Sequence, residues 1–141
     1  MGMSRRGVKI FGPLLLCVCI AGCGPAYTLG RVSGVVTLDG SPLPQATVTF
    51  SRGEGRMAVG VTDEAGRYLL QYTHRQEGAE LGTHTVRITS HIDAASGEGG
   101  LAAIAGRPEL LPARYHNKTE LTATVTPGSN TINFDLTSEA K

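Results

Sequence analysis

Ala46-Thr47-Val48-Thr49-Phe50-Ser51 sets an apolar side chain against a hydroxylated one at every step. That period of two is what a strand needs when one face is buried and the other wetted; on a helix it would smear the apolar side around the axis. Working outward, Val32, Gly34, Val36 and Leu38 share one face of Arg31 to Leu38, and Asp39-Gly40-Ser41-Pro42-Leu43-Pro44 then breaks the chain. Downstream, Ser51 to Arg56 is a Gly-containing charged turn. Ala58 to Thr62 and Arg67 to Thr73 flank Asp63-Glu64-Ala65-Gly66 and are expected to form a hairpin. Asp63 is suited to bond the backbone two residues on, and Gly66 to supply a positive φ. Tyr68, Leu70 and Tyr72 fall on one face, as do His84, Val86 and Ile88 in Thr83 to Ile92. His74 to Gly82 between these runs is a polar loop. Near the end, Leu121, Ala123 and Val125 alternate with threonines, and Ile132, Phe134 and Leu136 alternate with Thr131, Asn133 and Asp135. Pro127 to Asn130 between them is expected to close a hairpin. Seven short strands with turn signals every eight to twelve residues, and no strong amphipathic helix, predict an all-β, antiparallel sandwich.

The 141 residues suffice for one core. Arg5, Arg6 and Lys9 lie in the first 22 residues, which hold no acid. From Cys23 onward ten basic side chains face twelve acidic ones, a net charge of −2. A near-neutral body gives no electrostatic case for nucleic acid. The apolar run Ile10 to Ile20 is about half the roughly 20 residues that a spanning helix needs, so residues 1–22 read as a signal peptide. Its end, Ile20-Ala21-Gly22-Cys23, resembles the bacterial lipobox, which implies lipidation of Cys23 and loss of Cys17 and Cys19 with the signal. Membrane attachment then follows, because each buried acyl CH₂ contributes about 0.8 kcal/mol. Gly24 stands where, by analogy with enterobacterial lipoproteins, Asp would favour the inner membrane, and so points to the outer one. Ser4-Arg5-Arg6-Gly7-Val8 partly resembles a twin-arginine signal; the rest of the segment fits general secretion. With Cys23 acylated, the mature body has neither a thiol nor a disulfide. Residues 23–30 read as a tether, 31–137 as the domain and 138–141 as a tail.

Four pieces in order carry a family resemblance: Val32-Ser-Gly-Val-Val-Thr-Leu-Asp-Gly-Ser-Pro-Leu, Ala46-Thr-Val-Thr-Phe, Thr62-Asp-Glu-Ala-Gly-Arg-Tyr and Gly82-Thr-His-Thr-Val-Arg-Ile. Together they resemble the carboxypeptidase regulatory-like domain, a seven-stranded Greek-key β-sandwich of transthyretin (prealbumin) type. Leu111-Pro-Ala-Arg-Tyr-His-Asn, Leu121-Thr-Ala-Thr-Val and Asn133-Phe-Asp-Leu add a likeness to the short lipoproteins of this class in planctomycete bacteria. His84 departs from the family, which usually has an aromatic ring there. The resemblance implies a non-enzymatic envelope module, structural or protein-binding, and no cofactor.

Asp63 and Gly66 lack the ligand density of a calcium loop and read as a turn. His74, His84, His91 and His116 have no metal-ligand spacing; His84 is expected at the core edge and the others in water, so no metal is expected. No Gly-x-Ser-x-Gly elbow is present. The transthyretin-related hydroxyisourate hydrolases end in Tyr-Arg-Gly-Ser, whereas Ser138-Glu139-Ala140-Lys141 stands here, so no catalytic residue is assigned.

Asp93 to Asn117 does not alternate; within it Leu101 to Ala105 is expected to form one helical turn. Its 25 residues exceed the usual loop limit of about 12–15, beyond which loops tend to be functional or disordered. Arg114, Tyr115 and His116, followed by Asn117, group a cation, an aromatic ring and hydrogen-bonding side chains. They are the binding candidates for an acidic or sugar ligand, which makes a polysaccharide or small-ligand module the alternative function. Against that stands a packing role, with Leu111 and Tyr115 plugging the open end of the sandwich and Arg114 in water. Tyr27 and Tyr115 are the aromatic platforms left for a sugar, since Tyr68 and Tyr72 face the core. The sequence names neither a partner nor an oligomeric state.

Overall fold

The computed structural model describes residues 28–139. The signal segment, Cys23 and Tyr27 lie outside the described residues. The chain is all-β there, with no α-helix. Its strands are β1 (Leu29–Leu38), β2 (Ser41–Pro42), β3 (Thr47–Ser51), β4 (Ala58–Val61), β5 (Arg67–Leu69), β6 (Gln71–Thr73), β7 (Gln76–Glu77), β8 (Ala79–Glu80), β9 (Gly82–Thr89), β10 (Thr122–Val125), β11 (Ser129–Thr131) and β12 (Phe134–Leu136). One sheet is built around β1, flanked by β8, β5 and β2 along one edge and by β11 and β12 along the other. The second runs β10-β9-β3-β4-β6-β7.

The face parity read from the sequence holds. Val32 and Val36 of the first sheet are fully buried, as are Ala46, Val48, Phe50, Val86 and Ile88 of the second. Tyr68, Leu70, Tyr72, Phe134 and Leu136 join the same core. Phe134 meets Phe50 edge-on across the two sheets, with ring centroids 6.2 Å apart, and lies at 6.2 Å from Tyr68. Leu29 and Gly30 belong to β1, so the strand begins two residues inside the expected tether.

Pairing differs from the expectation in four places. First, the seven alternating runs all carry strand, but the described residues hold twelve segments. The run after Gly66 and the last run are each broken in two, and β2, β7 and β8 are added from segments that read as breaks or loops. Second, the expected hairpin partner of β4 switches sheets. Arg67–Leu69 pairs with β1, whereas Gln71 pairs with Val59 of β4, so Leu70 is the corner. The turn itself is as expected: Asp63 Oδ1 accepts from the N–H groups of Ala65 and Arg67, both at 2.9 Å, and Gly66 has φ +74°. A Cβ on Gly66 would stand 2.5 Å from the Val36 carbonyl oxygen, so the turn packs against β1.

Third, Pro127 to Asn130 does not close a hairpin, because β10 lies in the second sheet and β11 in the first. The Asn130 side chain shapes this crossing, accepting from the Thr126 N–H at 2.9 Å and donating to the Thr126 and Arg31 carbonyls at 2.8 and 3.1 Å. Fourth, the ladders are antiparallel except where the last run meets the first: β11 and β12 lie parallel to β1. At the break between them, Asn133 turns its side-chain oxygen to the Val35 N–H at 2.9 Å, in place of a backbone acceptor. Gly34 is needed beside it, since a Cβ there would sit 1.8 Å from the Ile132 carbonyl oxygen.

Candidate functional site

The long segment after β9 is a ribbon with clasped feet. Ile92 pairs with Arg107, and Ala95 with Ile104, as isolated antiparallel bridges. Residues 101–105 thus form no helical turn; Ile104 is spent on a bridge. The ribbon flanks leave Leu101 78% and Ile104 54% exposed. At its base, the Arg107 guanidinium donates to the carbonyls of Ser90 (2.8 Å), Pro44 (3.3 Å) and Gln45 (3.0 Å).

Glu109 completes the clasp. One carboxylate oxygen accepts from the Ser90 N–H (2.9 Å), the Ser90 hydroxyl (2.5 Å) and the Leu111 N–H (3.1 Å), and the other from the Thr89 hydroxyl. Partial burial works to raise the Glu109 pKa, but the Ser90 and Thr89 hydroxyls and the two N–H groups outweigh it and hold the value at about 2. The sequence reading missed both residues. Their one signal is that Arg107-Pro108-Glu109 places two opposite charges beside a stretch of Gly, Ala and aliphatic residues.

The chain then enters a 3₁₀ turn, Ala113–Tyr115. Leu111 and Tyr115 are buried, as the packing alternative has it. Arg114 is not simply in water. Its guanidinium carbon lies 4.8 Å from the Tyr115 ring centroid, and it donates to the Thr137 hydroxyl at 2.6 Å. The Tyr115 hydroxyl accepts from the Thr137 N–H at 3.2 Å. Burial works to raise the Tyr115 pKa, but these Thr137 donors and the Arg114 charge bring it below the ordinary phenol value. Arg114, Tyr115, Glu120, Asp135 and Thr137 line an open cleft of about 470 Å³. His116 does not join it. Its Nε2 lies 3.0 Å from the Leu111 carbonyl oxygen, and the ring borders a separate recess of about 230 Å³ with Arg87, Thr89, His91, Glu109 and Asn117. Two of the three candidate binding residues therefore share a wall, and the third is half-buried elsewhere instead of solvated.

His84 is deeper than the core edge, at 2% exposure. Its Nε2 is 2.7 Å from the Glu80 carbonyl oxygen, so that nitrogen carries the proton; Nδ1 has no partner, and the ring packs 5.8 Å from Phe50. His91 meets Asp93 at 2.9 Å. No group of three His, Cys, Asp or Glu side chains among the described residues has metal-holding geometry. No helix among them is long and apolar enough to cross a membrane.

Scanned against protein-family models and against curated proteins, the chain matches none. Among solved structures it is similar to a 9R-lipoxygenase from Cyanothece PCC8801, with 12% identity and a TM-score of 0.42. The match takes in 95% of this chain but only 18% of that one. At that level neither fold nor activity carries over.

Proposed function

We propose that this chain is a non-enzymatic, lipid-anchored protein of the bacterial envelope, held in the outer membrane through Cys23, whose β-domain is a structural or protein-interaction module. The same proposal assigns it the Greek-key, transthyretin-like topology of the carboxypeptidase regulatory-like domains. Seven strand-bearing runs in the expected order, arranged in two sheets on one core, support that assignment.

The observation that carries the functional reading is the relation of anchor to ribbon. Leu29 opens β1 only six positions after Cys23, so at about 3.4 Å per residue the domain stays within about 20 Å of the acyl chains. Over its ten residues β1 runs about 30 Å to Leu38. The ribbon feet are clasped at that far end, beside Pro44, Gln45 and Ser90. Exposed Leu101 and Ile104 are thus carried on the end remote from the anchor, where a second envelope protein is met before the anchoring bilayer.

The test is made in intact cells. Cys23→Ser should move the chain from the membrane to the soluble fraction and remove the acyl mass, and photo-crosslinkers at Leu101 or Ile104 should capture one defined envelope protein. A Cys23→Ser chain that stays membrane-bound would sink the anchor. Crosslinks to no protein, with retention on cell-wall polysaccharide, would favour the second reading, a polysaccharide or small-ligand module. The cleft walled by Arg114 and Tyr115 is what speaks for that reading.

A further inference from the structure

The outer face of the second sheet is unusual in what it leaves out. Its wetted side chains on β3, β9 and β10 are Thr47, Thr49, Ser51, Thr83, Thr85, Arg87, Thr89, Thr122 and Thr124. Register aligns them in rows: Thr47 beside Thr89, Thr49 beside Arg87, Ser51 beside Thr85, and Thr85 beside Thr122. Wetted strands ordinarily carry both signs of charge interspersed. Here the face carries eight hydroxyls and one guanidinium. Arg87 is exposed, its nearest hydrogen-bond partner is the Asn117 side-chain oxygen at 3.4 Å, and no carboxylate among the described residues lies within ion-pair distance. Glu109 borders the same recess, but both its oxygens are taken by Thr89, Ser90 and Leu111.

The face is also hollowed. A trough of about 480 Å³ runs over Thr47, Thr49 and Ser51, with Met57 and Val59 on one bank and Arg87 and Thr89 on the other. Arg87 and Thr89 also line the 230 Å³ recess that leads to His116 and Asn117, so the two hollows meet at the cation. Met57 and Val59 are 58% and 37% exposed.

We infer that this trough binds an acidic polysaccharide, with a sugar carboxylate on Arg87, ring hydroxyls on Thr47 and Thr49, and the apolar side of a sugar ring over Met57 and Val59. A guanidinium without a partner carboxylate takes a ligand carboxylate in a charge-assisted bond. Rows of short hydroxyl side chains fit a ligand that is itself a row of hydroxyls. A protein partner would want buried aromatic or aliphatic anchors at its centre, and the trough floor has none. Nucleic acid would want several cations and stacking rings. The site is separate from the cleft at Arg114 and Tyr115, and its chemistry stands whether or not Cys23 is lipidated.

The test uses the full chain in detergent, polygalacturonate as the acidic probe and dextran as the neutral one, with retardation in affinity electrophoresis as readout. The chain should bind polygalacturonate, weakening with salt, and leave dextran untouched. Arg87→Gln should weaken binding about ten- to a hundredfold. Thr49→Val, which keeps the shape and removes the hydroxyl, should weaken it several-fold, and Arg75→Gln on the far turn should not change it. Circular dichroism confirms that each variant is folded. Equal binding by Arg87→Gln, equal binding of dextran, or no binding of either polymer would overturn the inference. Loss with Arg114→Gln in place of Arg87→Gln would move the site to the other cleft and equally overturn it. Failure of the anchor reading would leave all these results unchanged.

Discussion

Replacing Glu109 by Gln asks whether a charged acceptor holds the ribbon. Four donors converge on that carboxylate, from Ser90 (twice), Thr89 and Leu111, and Ser90 itself is fully buried. Burial pushes the Glu109 pKa up, but the donors prevail and bring it from 4.5 to about 2. A carboxyl whose pKa falls on folding stabilises the fold fully above the unfolded value, near pH 4.5 here, and loses that contribution as pH drops through about 2. At about 1.36 kcal/mol per tenfold change in proton affinity, the whole depression corresponds to roughly 3 kcal/mol. The group is partly open to water, which screens the charge, so about 1–2 kcal/mol is the expected share. Gln keeps the shape and one acceptor oxygen but carries no charge. Urea unfolding at pH 7 should therefore find Glu109→Gln less stable by about 1–2 kcal/mol, with the gap closing between pH 4.5 and 2. Limited proteolysis should cut the variant faster within residues 93–106. Equal stability at pH 7, or a gap that does not change down to pH 2, would refute a clasp built on charge.

Three further outcomes follow from the packing. Phe134→Ala should cost about 3–5 kcal/mol in urea unfolding, since its ring touches both sheets; a loss below about 0.5 kcal/mol would mean the last strand faces the other way. Gly34→Ala should cost about 1–3 kcal/mol or more, because the added carbon would overlap the Ile132 carbonyl, and a neutral result would exclude the parallel crossing of β12 beside β1. In an ultraviolet titration, Tyr115 should ionise below the ordinary phenol value and Tyr68, which burial pushes up, only as the chain unfolds. Arg114→Gln should move the earlier transition upward; no movement would remove the Arg114 charge as a cause.

What the sequence made legible was parity. Val48 and Phe50 had to turn inward together because a strand has a period of two, and every run read this way sends its apolar set to the core. Partnership was not legible, because alternation says which side is buried and nothing about which edge is met. The stretch from Arg67 to Thr73 alternates without interruption, yet passes from one sheet to the other at Leu70. Likewise Pro127 to Asn130 carries good hairpin chemistry and serves a sheet crossing, because the Asn130 amide needs only a local turn and not a paired strand on either side. The parallel register of β12 rests on Gly34 and Asn133, two residues 99 positions apart whose relation no local pattern encodes.

The candidate site was legible in kind but not in use. Grouping Arg114, Tyr115 and His116 by residue type found a real convergence of two of them, but proximity in sequence cannot say that Thr137 already occupies the guanidinium and the phenol. A polar group that holds its own chain together has less to offer a ligand, because binding must first break that bond. Arg87 is less committed, with only the Asn117 side-chain oxygen at 3.4 Å as partner. Parity alone placed it among threonines on a wetted face, which looks like solvent exposure and nothing more. Only the register shows that its cross-strand neighbour is Thr49, and no carboxylate among the described residues lies within ion-pair distance of it. Arg87 is held only by the Asn117 side chain at 3.4 Å, whereas Arg114 donates to the Thr137 hydroxyl at 2.6 Å beside the carboxylates of Glu120 and Asp135, so a ligand carboxylate displaces less at Arg87. For an anionic ligand the outer face of the second sheet is therefore the stronger competitor, though it carries no aromatic ring and no recognisable motif.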